Sequence, residues 1–146
     1  MIVGIVGSES SKFTEEGERR AKLAISNILN NWMVTEVVSG GCHLGGIDIW
    51  AVEMAKDFGI PVTEFKPEKL EWTYYKKRNL QIADRSDVVF CITVDRLPEN
   101  FTGMRFKSCY HCRTSDHVKS GGCWTMKQAI KMGKPGHLVV IKNENS

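Results

Sequence analysis

The feature that most restricts what this chain can fold into is an alternation of short apolar runs with longer stretches of helical period. Ile2–Val6 is continuously apolar and ends at Gly7-Ser8, the pattern of a strand covered on both faces. From Glu15 to about Trp32, the residues Ala21, Ala24, Ile25, Ile28, Leu29 and Trp32 recur on one helical face. Thr35–Ser39 reads as a second strand, and the glycine-rich turn Gly40–Gly46 follows it. Ile47, Ala51, Met54, Ala55 and Phe58 mark a second helix, which Gly59 stops. Ile60–Phe65 is a third strand, Lys66–Trp72 a loop, Thr73–Arg85 a mostly polar helix and Asp87–Thr93 a fourth strand. Ser120-Gly121-Gly122 opens the last helix, Trp124–Met132. His137–Lys142 is the last strand, and Asn143–Ser146 is expected to fray. Strands alternating with helices predict an α/β fold with a doubly wound, five-stranded parallel sheet, Rossmann-like or flavodoxin-like. Flavodoxin-like strand order is the expectation.

The 146 residues form one domain, 1–146, long enough to bury roughly two-thirds of the unfolded surface. A hydrophobic fraction of 42% with 25% charged residues argues against a disordered chain. No apolar run approaches the ~20 residues of a membrane span. The N-terminus lacks a basic n-region and reads as a strand that starts at once, so a cytoplasmic location is expected. The net charge of +3 is too small for a general nucleic-acid binder but suits a small anionic ligand. One stretch, Val94–Lys119, follows no period and is rich in Cys, His and charge. Long irregular inserts in compact domains are more often lids or binding elements than filler.

In open α/β sheets, ligands bind beyond the C-terminal strand ends. The segments projecting there include Gly7-Ser8, the Ser39–Gly46 turn and Ser120–Thr125. Two of these open helices, where free N–H groups and the helix dipole favour phosphate. Candidate ligand-binding residues are therefore Gly7, Ser8, Ser39, Gly40, Gly41, Gly45, Gly46, Asp48, Arg78, Asn79, Gly121, Gly122 and Thr125. Either glycine pair alone would be read as a tight turn. Asp48 suits either a first-turn carboxylate or a ribose hydroxyl partner, and Arg78 has the planar fork for phosphate. Lys76 and Lys77 read as a solvated face. No catalytic residue is assigned, although Glu9, Asp48 and Asp95 are acids placed at strand ends.

In a reducing compartment the five cysteines are not expected to be disulfides. Cys109-Tyr110-His111-Cys112 is followed by His117 and Cys123. Cys109, Cys112 and Cys123, with His117 or His111 as the fourth ligand, could hold a structural zinc. The competing reading is a set of unpaired thiols in a mobile lid. Cys91 reads as core. The neighbours Cys42 and His43 read as structural, because adjacent residues rarely form a nucleophile–base pair.

Val37-Val38-Ser39-Gly40-Gly41, Gly46-Ile47-Asp48, Ala51, Ala55 and Gly59-Ile60-Pro61-Val62 together resemble the SLOG superfamily of Rossmann-like nucleotide-binding proteins. Arg78-Asn79 with Ala83-Asp84, and Gly121-Gly122, Thr125, Ala129 and Gly133-Lys134-Pro135, resemble further elements of that group. The group includes single-strand-binding DNA-processing proteins, phosphoribohydrolases of the Lonely Guy type and nucleotide sensors. The resemblance implies a nucleotide or phosphoribosyl ligand, bound by a sensor or ligand-binding protein. A nucleotide hydrolase and a single-stranded nucleic-acid binder are the alternatives. Members often pair, so a homo-oligomer is also expected. Three departures stand out. Gln128 and Trp124 replace the glutamate and a glycine of the hydrolases' PGGxGTxxE segment, and Gln cannot serve as an acid or base. The Gly40–Asp48 loop is longer than usual. Gly7-Ser8-Glu9 stands where many members have Gly-Ser-Arg. Trp72, Tyr74 and Tyr75 offer stacking surfaces for a nucleic-acid reading, or a packing or subunit contact for a blander one.

Overall fold

The computed structural model describes residues 1–144, so the last two residues of the expected tail lie outside the described residues. The chain runs β1 (Ile2–Gly7), a single 3-10 turn (Ser10–Lys12), α1 (Glu15–Asn31), β2 (Glu36–Ser39), α2 (Ile47–Asp57), β3 (Val62–Glu64), α3 (Trp72–Arg85), β4 (Val88–Val94), α4 (Gly121–Lys131) and β5 (Gly136–Ile141). All strand pairs are parallel, for example Gly7 opposite Ile92 across β1 and β4. No helix among the described residues is long and apolar enough to cross a membrane.

Alternate side chains of the central strands feed two cores. Val88, Phe90, Ile92 and Val94 face α1 and α2, packing with Ala21, Ile25, Trp50, Ala51 and Ala55. Val89 and Cys91 face α3 and α4, packing with Ile82, Ala83, Met126 and Ala129. This is the period-2 pattern of a strand buried on both sides.

The doubly wound parallel sheet is as expected, but its strand order is β3-β2-β1-β4-β5, not the flavodoxin-like one. Burial explains the difference. Flavodoxin-like order would leave β2 at the edge, yet Val37 and Val38 are fully buried. The three residues of β3 are only half-buried and tolerate the edge. α2 also packs beside α1, with the Lys22 amine of α1 5.4 Å from the Trp50 ring centre, and a right-handed crossover then carries β3 outward past β2.

A second correction concerns Asn143, which does not fray. It is 1% exposed, and its amide bridges three segments. Nδ2 donates to the Lys12 and Arg96 carbonyls at 2.8 and 2.9 Å. Oδ1 accepts from the Thr14 N–H and hydroxyl at 2.7 and 2.9 Å. Thr14 is itself the N-cap of α1, accepting from Gly17 N at 3.0 Å. Asn143 thereby fixes the loop between β1 and α1.

Candidate functional site

With this strand order the crossovers part between β1 and β4, which places the topological switch at their C-terminal ends. A cavity of about 330 Å³ opens there. Two close approaches build it. A Cβ on Gly7 would lie 2.0 Å from the Ile92 carbonyl oxygen, and one on Gly122 would lie 2.9 Å from Gly7 N. The lack of a side chain at Gly122 therefore lets the start of α4 abut the end of β1, and its lack at Gly7 lets β1 close against β4 and Ile47 of α2. On the other flank, Ile47 N donates to Ser8 O at 3.1 Å. Gly46, at φ +85°, brings α2 to the same loop, and a Cβ there would stand 2.4 Å from Ser8 O. Two helix starts thus converge on Gly7–Glu9.

The α4 start is capped by Ser120, whose Oγ accepts from Gly122 N at 3.1 Å. One turn on, Thr125 is 1% exposed and lines the cavity. Its hydroxyl is the one buried side-chain polar atom among the described residues without a hydrogen-bond partner in the protein. Ser8 has a different role. Thr93 Oγ1 gives its proton to Val118 O at 2.7 Å, so Ser8 Oγ is the donor in its 2.8 Å bond with Thr93 and retains only acceptor capacity.

Lys12, Arg78 and Lys119 supply positive charge to the cavity wall. Burial pushes the Lys12 amine below its ordinary value, with Glu9 opposing, and its Nζ donates to Lys119 O at 3.2 Å. Arg78 is buried under the first glycine turn. Its Nη1 donates to Gly40 O at 2.6 Å and its Nε to Asn79 Oδ1 at 2.7 Å, while the guanidinium lies 5.6 Å from the Tyr75 ring centre. Part of the fork expected to grip phosphate is therefore spent on holding the loop. Asp48 is buried in the same wall. Desolvation pushes its carboxyl up to about 6, against the opposing charge of Arg78 and an N–H bond from Cys42 at 3.3 Å. Trp72 and Tyr75 give the cavity an aromatic side, and Trp72 stands edge-on to Trp124 at 5.6 Å.

Of the residues singled out from sequence, Gly7, Ser8, Asp48, Arg78, Asn79, Gly121, Gly122 and Thr125 line this cavity. Ser39, Gly40, Gly41, Gly45 and Gly46 do not. They shape the turn behind it, where Ser39 Oγ donates to Asp48 O at 3.0 Å. Sequence reasoning missed Lys12 and Lys119. Each is a lone lysine in a loop, and only the folded chain shows that both reach one cavity. Gln128 is not part of the wall, and Asp95 is turned away, accepting from Asn143 N at 2.8 Å. Among the described residues the lining carboxylates are Glu9 and Asp48.

Beside the cavity, the side chains of Cys109, Cys112, His117 and Cys123 converge, with all their ligand atoms within 4.8 Å of one another. Such a group could hold a metal ion. A turn closed by the Cys109–Thr114 bridge presents the first two cysteines. His117, not His111, is the fourth member, its Nε2 lying 3.7 Å from Cys123 Sγ. The other ring nitrogen, Nδ1, is 2.8 Å from Asp116 Oδ1, the outer carboxylate that orients many metal-bound histidines. His111 packs against Tyr110 instead, with ring centres 4.5 Å apart. Cys91 is fully buried in β4, as expected of a core residue.

The sequence matches no protein-family model and no curated protein.

Proposed function

We propose that the cavity binds a phosphorylated nucleoside, with its phosphate on the α4 start and its base toward Trp72 and Tyr75, and that the protein acts as a nucleotide sensor or binding protein. The observation that carries this reading is the Thr125 hydroxyl. It is buried, without a partner, and set one turn inside a helix N-terminus at the switch point. An unsatisfied buried hydroxyl costs about 1–3 kcal/mol, and a phosphate oxygen would satisfy it. The N–H groups of α4 and the cations Lys12, Arg78 and Lys119 favour the same anion. The resemblance of both glycine turns to those of the SLOG superfamily supports the same ligand class. A hydrolase of the Lonely Guy type is disfavoured, because its glutamate is replaced by Gln128, outside the wall. A continuous stacking track for single strands is disfavoured too. Trp72 and Tyr75 line the cavity, but Tyr74 instead lies beneath the Lys69 amine.

We propose further that the Cys₃His group holds zinc. Its three thiols and one imidazole are the donor set of structural zinc sites. Between β4 and α4 the insert has no helix or strand of its own, and Thr102–Ser108 are exposed, so metal ligation would supply the folding energy that packing does not.

Thermal-shift and calorimetric titration of zinc-replete protein with AMP, cyclic nucleotides and ADP-ribose tests the ligand reading. Stabilisation is expected. No shift with any of them overturns it. Metal analysis of protein purified without added zinc should find one zinc per chain.

A further inference from the structure

The Cys₃His group and the cavity share a wall. His117 and Cys123 bracket the segment that contributes Lys119, Ser120, Gly121 and Gly122 to the cavity lining. Cys123 itself sits in the first turn of α4, directly after the two glycines that form the helix start. Lys119 is set from the same source. Its Nζ lies 5.2 Å from the Phe106 ring centre and 5.3 Å from that of Tyr110, and Tyr110 stands between Cys109 and Cys112. At its other end the segment is anchored to the sheet, since Val118 N donates to Val94 O at 2.8 Å and Val118 O accepts from Thr93 Oγ1 at 2.7 Å. A metal drawing Cys109 and Cys112 against His117 and Cys123 therefore ties the insert to the other end of this wall: the helix start and the cation beside it.

We infer that metal occupancy of the Cys₃His group sets the geometry of the anion-binding wall, so that zinc and a phosphorylated ligand bind with positive coupling and the protein is a metal-responsive nucleotide binder. This rests on the nucleotide reading above. Coupling is reciprocal: whatever factor zinc adds to ligand affinity, the ligand adds to zinc affinity. The orphan Thr125 hydroxyl is the second group through which the α4 start acts, and it is two residues from Cys123 on the same helix.

The test uses the zinc-loaded full chain. Zinc affinity is measured by equilibrium competition with a chromogenic chelator, with and without saturating ADP-ribose. A rise of about tenfold is expected. Unchanged zinc affinity, with ADP-ribose shown to be bound, overturns the inference. A second arm needs no nucleotide. Zinc loading should slow hydrogen exchange at the Gly122 and Cys123 amides while leaving those of α1 unchanged. Equal rates with and without metal overturn the inference. If the metal-free chain does not fold, Cys112→Ser replaces chelation, because it removes the half-buried ligand and leaves the other three. Failure of ADP-ribose, AMP and cyclic nucleotides to bind the loaded protein would refute the nucleotide reading, while the exchange arm would still judge the link between metal and wall.

Discussion

Thr125→Val removes one hydroxyl and keeps the shape of the side chain, so its effects isolate the role of that group. Thr125 is 1% exposed and its oxygen has no partner in the protein, whereas most buried hydroxyls are hydrogen-bonded. Replacing it with a methyl group should relieve part of a desolvation cost of about 1–3 kcal/mol. The ligand-free protein should therefore become more stable by about 1 kcal/mol, which raises Tm by about 2–4 °C in a domain of this size. Helix propensity changes little between Thr and Val, so the backbone does not mask the effect. Ligand affinity should move the other way. A hydrogen bond to a charged phosphate is worth about 1.5–3 kcal/mol, so binding should weaken by about 10- to 150-fold. Calorimetric unfolding without ligand and isothermal titration with AMP measure the two effects separately. Opposite signs are the signature of a hydroxyl that a ligand satisfies. A loss of stability, or an AMP affinity equal to that of the parent, would refute the reasoning.

Gly121→Glu places a carboxylate where a Cβ meets nothing within 4 Å. It should stabilise the ligand-free helix by about 1 kcal/mol through propensity and the helix dipole, yet abolish AMP binding by like-charge repulsion, as unfolding and titration would show. Asn143→Ala breaks four buried bonds to Lys12, Thr14 and Arg96 and should cost about 3 kcal/mol, read as a lower midpoint in urea with an unchanged m value. Zinc removal should speed limited proteolysis within the exposed stretch Thr102–Ser108 while the sheet persists, as mass spectrometry of the fragments would show. Asp48, raised from an ordinary 3.8 to about 6, holds its proton more tightly folded than unfolded. Its contribution is neutral below pH ~4 and becomes a penalty of about 3 kcal/mol as pH rises through 6. Asp48→Asn should remove that pH dependence. Binding of ADP-ribose, whose diphosphate does not titrate near pH 6, should draw protons onto Asp48 of the parent and fewer onto the variant, measured by titration in buffers of different ionisation enthalpy.

Much of the fold was legible because strand and helix periods are local signals. The stripe Ala21, Ile25, Ile28 and Leu29 turned inward as its spacing required. Strand order was not legible in the same way. It depends on which of β2 and β3 can bear an edge and on α2 docking beside α1, both of which are tertiary outcomes. Asn143 was read as tail because a polar residue after the last strand carries no pattern, and its role comes from two segments distant in sequence, Lys12–Thr14 and Arg96. The Cys/His group that could hold a metal was legible from its spacing, yet sequence left His111 and His117 open. The fold favours His117 because a histidine two residues before Lys119 reaches Cys123, whereas His111 turns to Tyr110. In the cavity, glycines announced themselves, but Lys12 and Lys119 did not, because a lone lysine in a loop looks like any solvated charge.

Three groups in one wall are held in states that burial disfavours. Thr125 lacks a partner, Lys12 is pushed toward its neutral form and Asp48 is pushed toward protonation. A core selected only for stability would have replaced them with apolar side chains, since well-packed apolar groups often match or exceed buried charges in stability. An anion in the cavity changes the balance at each. It accepts from Thr125, favours the charged form of Lys12 against its burial and drives Asp48 further toward its acid, which then becomes a donor. All three responses accompany the same ligand charge, and that of Asp48 draws a proton in. The local costs of the ligand-free wall are therefore the terms that a phosphorylated ligand would relieve, and their concentration at the β1–β4 switch, rather than the glycine turns alone, is what supports the proposed binding site.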